Sequence, residues 1–178
     1  ISYTYDDQNN RTSVTDKQGN TTYYAYDERG NTTVITDTMG YTTTMTYDAQ
    51  NNLTSVTDAR GYTTNYTYDA NGNLISITDP LGNTTTFAYD GFGQMTSTTD
   101  ANGNTMQYQY DTYGHQTAII DALGNATTFT YDIVGRKLSE TDPLGRTTIY
   151  TYDAANRLLT VTNPLAGVTS YTYDAVGN

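Results

Sequence analysis

The dipeptide Tyr-Asp recurs nine times in this chain of 178 residues, at a constant interval of twenty-one residues. Its tyrosines are Tyr5, Tyr26, Tyr47, Tyr68, Tyr89, Tyr110, Tyr131, Tyr152 and Tyr173. A fixed period of about 20 to 50 residues indicates a tandem array, in which each repeat stacks on its neighbours to bury its apolar side chains. The sequence therefore predicts a single array over residues 1–178, with about eight repeats and a function that resides in the stacked surface.

Each repeat contains two segments with strand composition and two turns. In the repeat that begins at Tyr68, residues 74–78 are apolar and β-branched, and residues 83–89 are rich in threonine and aromatic side chains. Between them lies Asp79-Pro80-Leu81-Gly82. Aspartate can accept hydrogen bonds from turn amides, proline fixes φ near about −65°, and glycine supplies a positive φ, so this segment predicts a hairpin turn.

The turn after each Tyr-Asp pair has glycine or asparagine at its fourth position, and these two residue types enter the left-handed region most readily. The residues are Asn9, Gly30, Asn51, Gly72, Gly93, Gly114, Gly135, Asn156 and Gly177. Because both connections are tight, we expect successive strands to run antiparallel in an all-β sheet. A parallel β-solenoid with one repeat per coil is the alternative.

Side chains two residues apart in a strand share a face. Each Tyr of the Tyr-Asp pairs therefore points with the residue two before it, which is aromatic in every repeat except at Met45. An apolar position of the other strand is expected to join this aromatic row, and it is occupied by Val14, Ile35, Val56, Ile77, Ile119 and Val161, with Thr98 and Glu140 as interruptions. We expect the ribbon to coil with the aromatic row inward and with rings of consecutive repeats in contact.

Composition excludes several functions. The net charge of −11 repels nucleic acid, and no apolar run is long enough to span a membrane. The chain contains no cysteine, so disulfides and thiolate metal sites are absent. No nucleophile and base pair can be nominated, which predicts a protein that is not an enzyme and has no cofactor.

The segments YDIVGRKLSETDPLGRTTIYTYD and YDAANRLLTVTNPLAGVTSYTYD resemble the RHS or YD repeat family, whose units read approximately YDxxGRLxxxTDPxGxxTxY. The resemblance implies an antiparallel sheet that spirals into a hollow shell. Such shells enclose a toxin in bacterial polymorphic toxins and toxin-complex subunits, and the related teneurins act in adhesion. Only Arg136 and Arg157 keep the family's arginine, and neither the family's self-cleaving segment nor a toxin domain has a counterpart here.

Two candidate sites have simpler structural interpretations. His115 is the only histidine, and we interpret it as an exposed turn residue. The aspartates from Asp6 to Asp174 and from Asp16 to Asp142 form two rows of carboxylates. Calcium binding is conceivable for these rows, but turn capping explains them without a metal.

Seven asparagines lie in Asn-x-Ser/Thr sequons and are candidates for glycosylation. They are Asn10, Asn20, Asn31, Asn52, Asn65, Asn83 and Asn125. Composition alone produces many sequons in a threonine-rich chain. If the protein is extracellular, we expect the sequons at turns and strand ends to carry sugar.

Three functions follow from these patterns. The first is a structural wall or spacer of an exported or cell-surface protein, with an enclosed toxin domain as partner if the chain is part of a larger shell. The second is a subunit of an extracellular fibre, because the chain begins and ends in mid-repeat and exposed strand edges can pair with a further chain. The third is a surface that binds carbohydrate or protein through Tyr41, Tyr62 and Tyr113, which lie outside the aromatic row.

Overall fold

The computed structural model describes residues 1–177, and within them the chain forms one sheet of 17 strands with no helix. The strands are β1 (Ser2–Tyr5), β2 (Arg11–Thr15), β3 (Thr21–Tyr26), β4 (Thr32–Thr36), β5 (Thr42–Tyr47), β6 (Leu53–Thr57), β7 (Thr63–Tyr68), β8 (Leu74–Thr78), β9 (Thr84–Tyr89), β10 (Met95–Thr99), β11 (Thr105–Tyr110), β12 (Gln116–Ile120), β13 (Ala126–Tyr131), β14 (Lys137–Thr141), β15 (Thr147–Tyr152), β16 (Leu158–Thr162) and β17 (Val168–Ser170). Residues 1–177 include no helix that is long and apolar enough to cross a membrane.

Consecutive strands pair antiparallel, as β2 does with β3 and β15 with β16. The all-β antiparallel prediction is confirmed, and the alternative of a parallel solenoid is wrong because the turns are too short for a crossover. The predicted strand at 74–78 is observed as β8, whereas β9 begins at Thr84 rather than at Asn83. Asn83 belongs to the turn, where its amide donates to Asp79 Oδ1 at 2.9 Å.

The register places the predicted apolar residues on one face. Tyr24 lies opposite Ile35, Tyr66 opposite Ile77 and Tyr150 opposite Val161. In each of these pairs of strands a register shift just before the Tyr-Asp tyrosine allows that residue to remain on the same face. Exposure along β7 alternates from Asn65 onward as the pleat requires.

The sheet lacks a covered core among the described residues. No large side chain there is fully buried, and the buried residues are the small Ala118 and Ser13, at 5% and 6% exposure. The face opposite the aromatic row carries hydroxyl pairs instead, such as Thr67 with Ser76 at 2.6 Å. Stability therefore depends on the backbone ladder, the turns and contacts between repeats more than on a hydrophobic interior.

The chain divides into two compact units, Ile1–Phe87 and Ala88–Asn178. The first unit holds β1 to β8 and the beginning of β9, and the second holds β10 to β17. Both units are built from the same hairpins.

Candidate functional site

The Tyr-Asp turns, which follow the odd-numbered strands, are closed by the aspartate carboxylate. In the turn of Asp69, Gly72 donates its amide to the Asp69 carbonyl at 3.1 Å, and Asp69 donates its own amide to the Asn73 carbonyl at 2.9 Å. Asp69 Oδ1 accepts the amides of Asn71 and Asn73, each at 2.9 Å. The carboxylate thus satisfies turn amides, which confirms the predicted capping role.

Positive φ occurs where the sequence predicts it. Gly72 has φ of 85° and Asn51 has φ of 67°. The turns that follow the even-numbered strands, which we call the second turns, repeat this geometry with glycine, and one exception lies in the last of them. Ala166 has φ of 62° there, in the left-handed region that favours glycine.

Each Tyr-Asp tyrosine for which a contact is described donates its hydroxyl to a backbone carbonyl 15 residues earlier. Tyr68 bonds the Leu53 carbonyl at 2.9 Å, and Tyr131 bonds the Gln116 carbonyl at 2.9 Å. The same bond is made by Tyr26, Tyr47, Tyr110, Tyr152 and Tyr173. In each of these bonds the acceptor is the first residue of the preceding even-numbered strand. In β2 and β6 this residue lies beyond the end of the ladder with the tyrosine's own strand. The phenol therefore joins adjacent strands where backbone pairing has stopped.

In the first eight Tyr-Asp turns, the residue four positions after the aspartate bonds that aspartate, the next repeat or both, and we call it the clasp residue. The clasp residues are Asn10, Asn31, Asn52, Asn73, Gln94, His115, Arg136 and Arg157. An asparagine clasp donates its side-chain amide to its own aspartate, as Asn73 does to Asp69 Oδ2 at 2.9 Å. This bond is the main reason that the pKa of Asp69 is lowered from its ordinary value of 3.8.

Some clasp residues also reach the next repeat. Asn31 donates its side-chain nitrogen to Asn51 Oδ1 at 2.8 Å, and the two arginines make further contacts there. Arg136 donates Nε to Asp132 Oδ2 at 2.6 Å and its terminal nitrogen to Asn156 Oδ1 at 2.8 Å, and its guanidinium lies 5.0 Å from the ring centroid of Tyr152. Arg157 repeats the arrangement, with Nε 2.7 Å from Asp153 Oδ2 and the guanidinium 4.6 Å from the ring of Tyr173. One arginine thus combines an ion pair, a bond to the next turn and a cation–π contact.

His115 is a clasp residue and is half-buried, so the interpretation as an exposed turn residue is wrong. Its Nδ1 lies 2.9 Å from Asp111 Oδ2, and its ring stacks on Tyr131 with centroids 4.9 Å apart. Partial desolvation raises the pKa of Asp111, but the hydrogen bonds from the His115 side chain and amide outweigh it and leave the pKa lowered. His115 takes the same place in its repeat as Arg136 takes in its own. Both side chains present a flat group with an N–H donor to the carboxylate and to the next ring.

Most tyrosines of the aromatic row are half-buried, and Tyr5 is exposed at 56%. In the repeats that end at Tyr131, Tyr152 and Tyr173 the partner of the ring is the clasp side chain of the preceding repeat. Tyrosines of consecutive repeats are two strands apart, about 10 Å. That separation exceeds the usual range of ring stacking. The predicted contact between rings of consecutive repeats is therefore wrong for these three repeats, where a flat clasp side chain lies against the ring instead.

The predicted binding tyrosines lie at the turns and are exposed. Tyr41 and Tyr62 follow second turns and are 57% and 54% exposed, and Tyr113 lies in a Tyr-Asp turn and is 73% exposed. Tyr41 lines a groove of about 480 Å³ with Ile35, Asp37 and Asp58. These rings are available to a partner.

The carboxylate rows do not gather into a metal site within residues 1–177, where no group of three or more acidic, histidine or cysteine side chains is arranged to hold an ion. The carboxylates of these rows accept hydrogen bonds from the amides and side chains of their own turns. In the second turns, for example, Asp79 Oδ1 accepts the amides of Leu81 and Asn83, and its Oδ2 accepts the Asn83 side chain.

The sequons divide into two kinds. Six asparagines donate the side-chain nitrogen that would carry a glycan to a turn aspartate, and they are Asn10, Asn20, Asn31, Asn52, Asn83 and Asn125. Asn65 is different, because it is exposed in the middle of β7. A glycan on Asn65 would leave every turn intact.

Sequence reasoning missed the clasp residues as a set. Their signal is present, because a residue with a side-chain N–H group stands at the same place in eight successive repeats. The arginines at 136 and 157 were recognised from the family pattern without a role. Their role becomes visible when the register places each of them over the next tyrosine.

The model of the RHS Repeat family matches residues 26–64, 68–105, 110–147, 134–168 and 152–178. The chain therefore belongs to the RHS repeat family. Its repeats form a structural module of antiparallel strands. The comparison with curated proteins gave no match.

Solved structures of Tc toxin components share the fold. The chain is 19% identical, with a TM-score of 0.58, to TcdB2-TccC3 without its hypervariable C-terminal region, and 18% identical, with a TM-score of 0.56, to TcdB2-TccC3-Cdc42. The Tc holotoxin pore of Photorhabdus luminescens gives 18% identity and a TM-score of 0.54. Each match covers 99% of this chain but 12% of the other chain, so the chain spans a small part of these proteins.

Proposed function

We propose that this chain is a non-catalytic wall or spacer module of an exported or cell-surface RHS protein. The observation that carries the proposal is the repetition of one set of contacts. Tyrosine hydroxyls and aspartate carboxylates, the groups that a catalytic site would need, are bonded to backbone in repeat after repeat. A chain built in this way supports itself through nearest-neighbour contacts and can be lengthened without a new core.

The likeness to Tc toxin components supports a place in a larger assembly. In that assembly the aromatic row faces an enclosed partner such as a toxin domain, because this face is apolar and the opposite face carries hydroxyl pairs. The sixteen spacings between the 17 strands, at about 4.8 Å each, add up to only about 77 Å. This length cannot surround a domain of 100 residues, so the module contributes one part of a wall.

Deletion of one whole repeat tests the structural role. Removal of residues 48–68 joins Tyr47 to Asp69 and keeps every strand direction, whereas removal of residues 48–57 eliminates one strand and reverses all that follow. We expect the first variant to keep the β-sheet circular dichroism spectrum and a cooperative urea transition, and the second to lose both. Unfolding of both variants would contradict the nearest-neighbour architecture.

Export is tested separately, by labelling intact native cells with a membrane-impermeant amine reagent that reaches Lys17 or Lys137 in an accessible protein. Labelling in intact cells supports the surface or exported location. Labelling only after lysis would remove that part of the proposal and leave the structural role standing. Intact mass of the same material measures glycosylation, which we now expect at Asn65 before the other sequons.

A second candidate function is an adhesive surface for carbohydrate or protein, favoured by the exposed rings of Tyr41, Tyr62 and Tyr113. A glycan array with the wild-type chain and a Tyr41→Ala/Tyr62→Ala variant measures this activity. Binding that survives the double substitution would exclude the rings at 41 and 62 as the site.

The fibre alternative predicts that molar mass grows with concentration through the exposed strands β1 and β17. Light scattering at a constant 19.6 kDa across concentrations would contradict it.

A further inference from the structure

One clasp in the second unit is incomplete. The clasp residue Gln94 donates its side-chain nitrogen to the Gly114 carbonyl at 3.1 Å, and its side chain makes no bond to its own aspartate, Asp90. Asp90 Oδ1 accepts the amides of Phe92 and Gln94, as in the other turns. Elsewhere Oδ2 of the equivalent aspartate accepts a bond from its clasp residue, so in this repeat that oxygen lacks its usual donor.

The reason is the position of the donor nitrogens along the clasp side chain. Arg136 bonds its own aspartate through Nε and the next turn through a terminal nitrogen. Glutamine carries both of its side-chain N–H groups on one terminal nitrogen, and in Gln94 that nitrogen lies at the Gly114 carbonyl of the next turn. The space that the guanidinium fills in the repeat of Arg136 is consequently open in the repeat of Gln94.

A groove of about 750 Å³ marks this place. Asp90, Gln94 and Tyr110 line it, which are the counterparts of Asp132, Arg136 and Tyr152. Its rim carries two rings with little cover, Phe92 at 93% exposure and Tyr113 at 73%. The groove therefore combines a carboxylate oxygen, an aromatic ring in the cation–π position and two exposed aromatic walls.

We propose that this groove binds an arginine side chain presented by a partner polypeptide. The guanidinium donates to Asp90 Oδ2 and lies against the ring of Tyr110, and it thereby reproduces the contacts that Arg136 makes with Asp132 and Tyr152 in the same chain. Charge also favours an arginine, because the chain carries a net charge of −11 and the groove is lined by carboxylates but by no lysine or arginine. Arginine is preferred to lysine because its planar group can bond the carboxylate and stack on the rings at once.

The inference does not depend on the wall proposal, because a spacer and a shell wall would present the groove equally. It also differs from the sugar-binding alternative in the charge that the ligand must carry.

The test is an NMR titration of the full chain with N-acetyl-arginine amide, with N-acetyl-lysine amide as the matched control. We expect saturable shifts at the amides of Gln94 and of residues 111–114, with arginine bound about tenfold more tightly than lysine, the equivalent of one charge-assisted hydrogen bond. Equal binding of both amides, equal shifts at all Tyr-Asp turns, or no saturable shift would overturn the proposal. Binding of a neutral disaccharide at the same residues in place of arginine would overturn it as well.

Two variants sharpen the test. Asp90→Asn keeps the turn, as Asn163 shows by accepting the amides of Leu165 and Gly167 in its own turn, but it removes the charge and should weaken arginine binding about tenfold. Gln94→Arg supplies the missing clasp and should abolish binding. Because the new arginine adds contacts, the same variant should raise the urea midpoint, which separates a filled groove from a misfolded one. The control Asp69→Asn, in a turn with an asparagine clasp, should leave arginine binding unchanged.

Discussion

The clasp residues of the two units differ in kind although the turns around them are the same. The first unit uses asparagine in every repeat, at positions 10, 31, 52 and 73, and the second uses glutamine, histidine and two arginines. Asn52 and Asn73 bond their own aspartates. Arg136 bonds its own aspartate and also engages the next turn and the next tyrosine.

The difference teaches that closing a turn and joining two repeats are separate tasks. A short amide is sufficient for the first task, because the aspartate and the backbone do the rest. A short amide can also bond the next turn, as Asn31 does by donating to Asn51 Oδ1 at 2.8 Å, but contact with the next ring requires a longer side chain with a flat face. We therefore expect repeats of the second unit to be coupled more strongly to their neighbours.

Acid should destabilise both units, because it protonates the turn aspartates that the two units share. The pKa values of turn aspartates in both units, such as Asp69 and Asp132, are lowered in the folded chain. The cause at Asp69 is first the Asn73 side chain, and at Asp132 first the Arg136 amide. The stability that these groups contribute is complete above the ordinary pKa of 3.8 and is lost as the pH falls through the lowered values. We expect the midpoint of thermal unfolding, measured by circular dichroism, to be constant from about pH 7 to 5 and to fall steeply below about pH 4. A midpoint that is independent of pH down to about 2 would contradict this origin of stability.

Removal of an arginine clasp should show most clearly how arginine and asparagine clasp residues differ in their contribution to stability. Arg136→Ala loses an ion pair, a bond to the next turn and a cation–π contact, and we expect a loss of about 2 kcal/mol in the free energy of unfolding. Asn52→Ala loses the side-chain bond to Asp48 only, and about 0.5 to 1 kcal/mol is expected. Urea titration of both variants measures the gap, and equal losses would show that the long clasps do not couple repeats.

Tyrosine hydroxyls should contribute equally in the two units. Tyr68→Phe and Tyr131→Phe each delete one bond to a backbone carbonyl, so each should cost about 1 kcal/mol. Tyr113→Phe, at an exposed ring, is the matched control and should change stability by less than about 0.5 kcal/mol. A control variant that loses as much as the other two would show that the hydroxyl bonds are not the cause.

The smallest effect is expected when a clasp residue that contacts the next ring is replaced by asparagine, as in the first unit. His115→Asn keeps a donor for Asp111 but removes the stack on Tyr131, and a loss of about 0.5 kcal/mol is expected. The ring proton shifts of Tyr131 should move as the stacked imidazole is withdrawn. Unchanged Tyr131 resonances would contradict the stacking geometry.

The sequence predicted the strands and turns well because both depend on local chemistry. Leu74–Thr78 has strand composition, and the fourth-position residues of the Tyr-Asp turns take the predicted positive φ. The partners of the rings could not be predicted in the same way. His115 and Tyr131 are sixteen residues apart in sequence, and only the register of three strands brings them to 4.9 Å. Ala166 also departs from the rule, because the glycine of its turn stands one residue later, at Gly167.

The tyrosine hydroxyl bonds give the array a direction. Every such bond runs from a later tyrosine to an earlier carbonyl, so a repeat is completed by its successor. Loss of the segment that carries Tyr173 would leave the Leu158 carbonyl without that donor. Loss of the segment that carries Tyr5 would remove the Thr4 hydroxyl from Thr12 and Ser13 but no tyrosine hydroxyl from a backbone carbonyl. Amide hydrogen exchange after trimming should therefore rise at the new end when residues are removed from the carboxyl terminus and change less when they are removed from the amino terminus. We therefore expect such an array to unfold locally from its carboxyl-terminal end before its amino-terminal end.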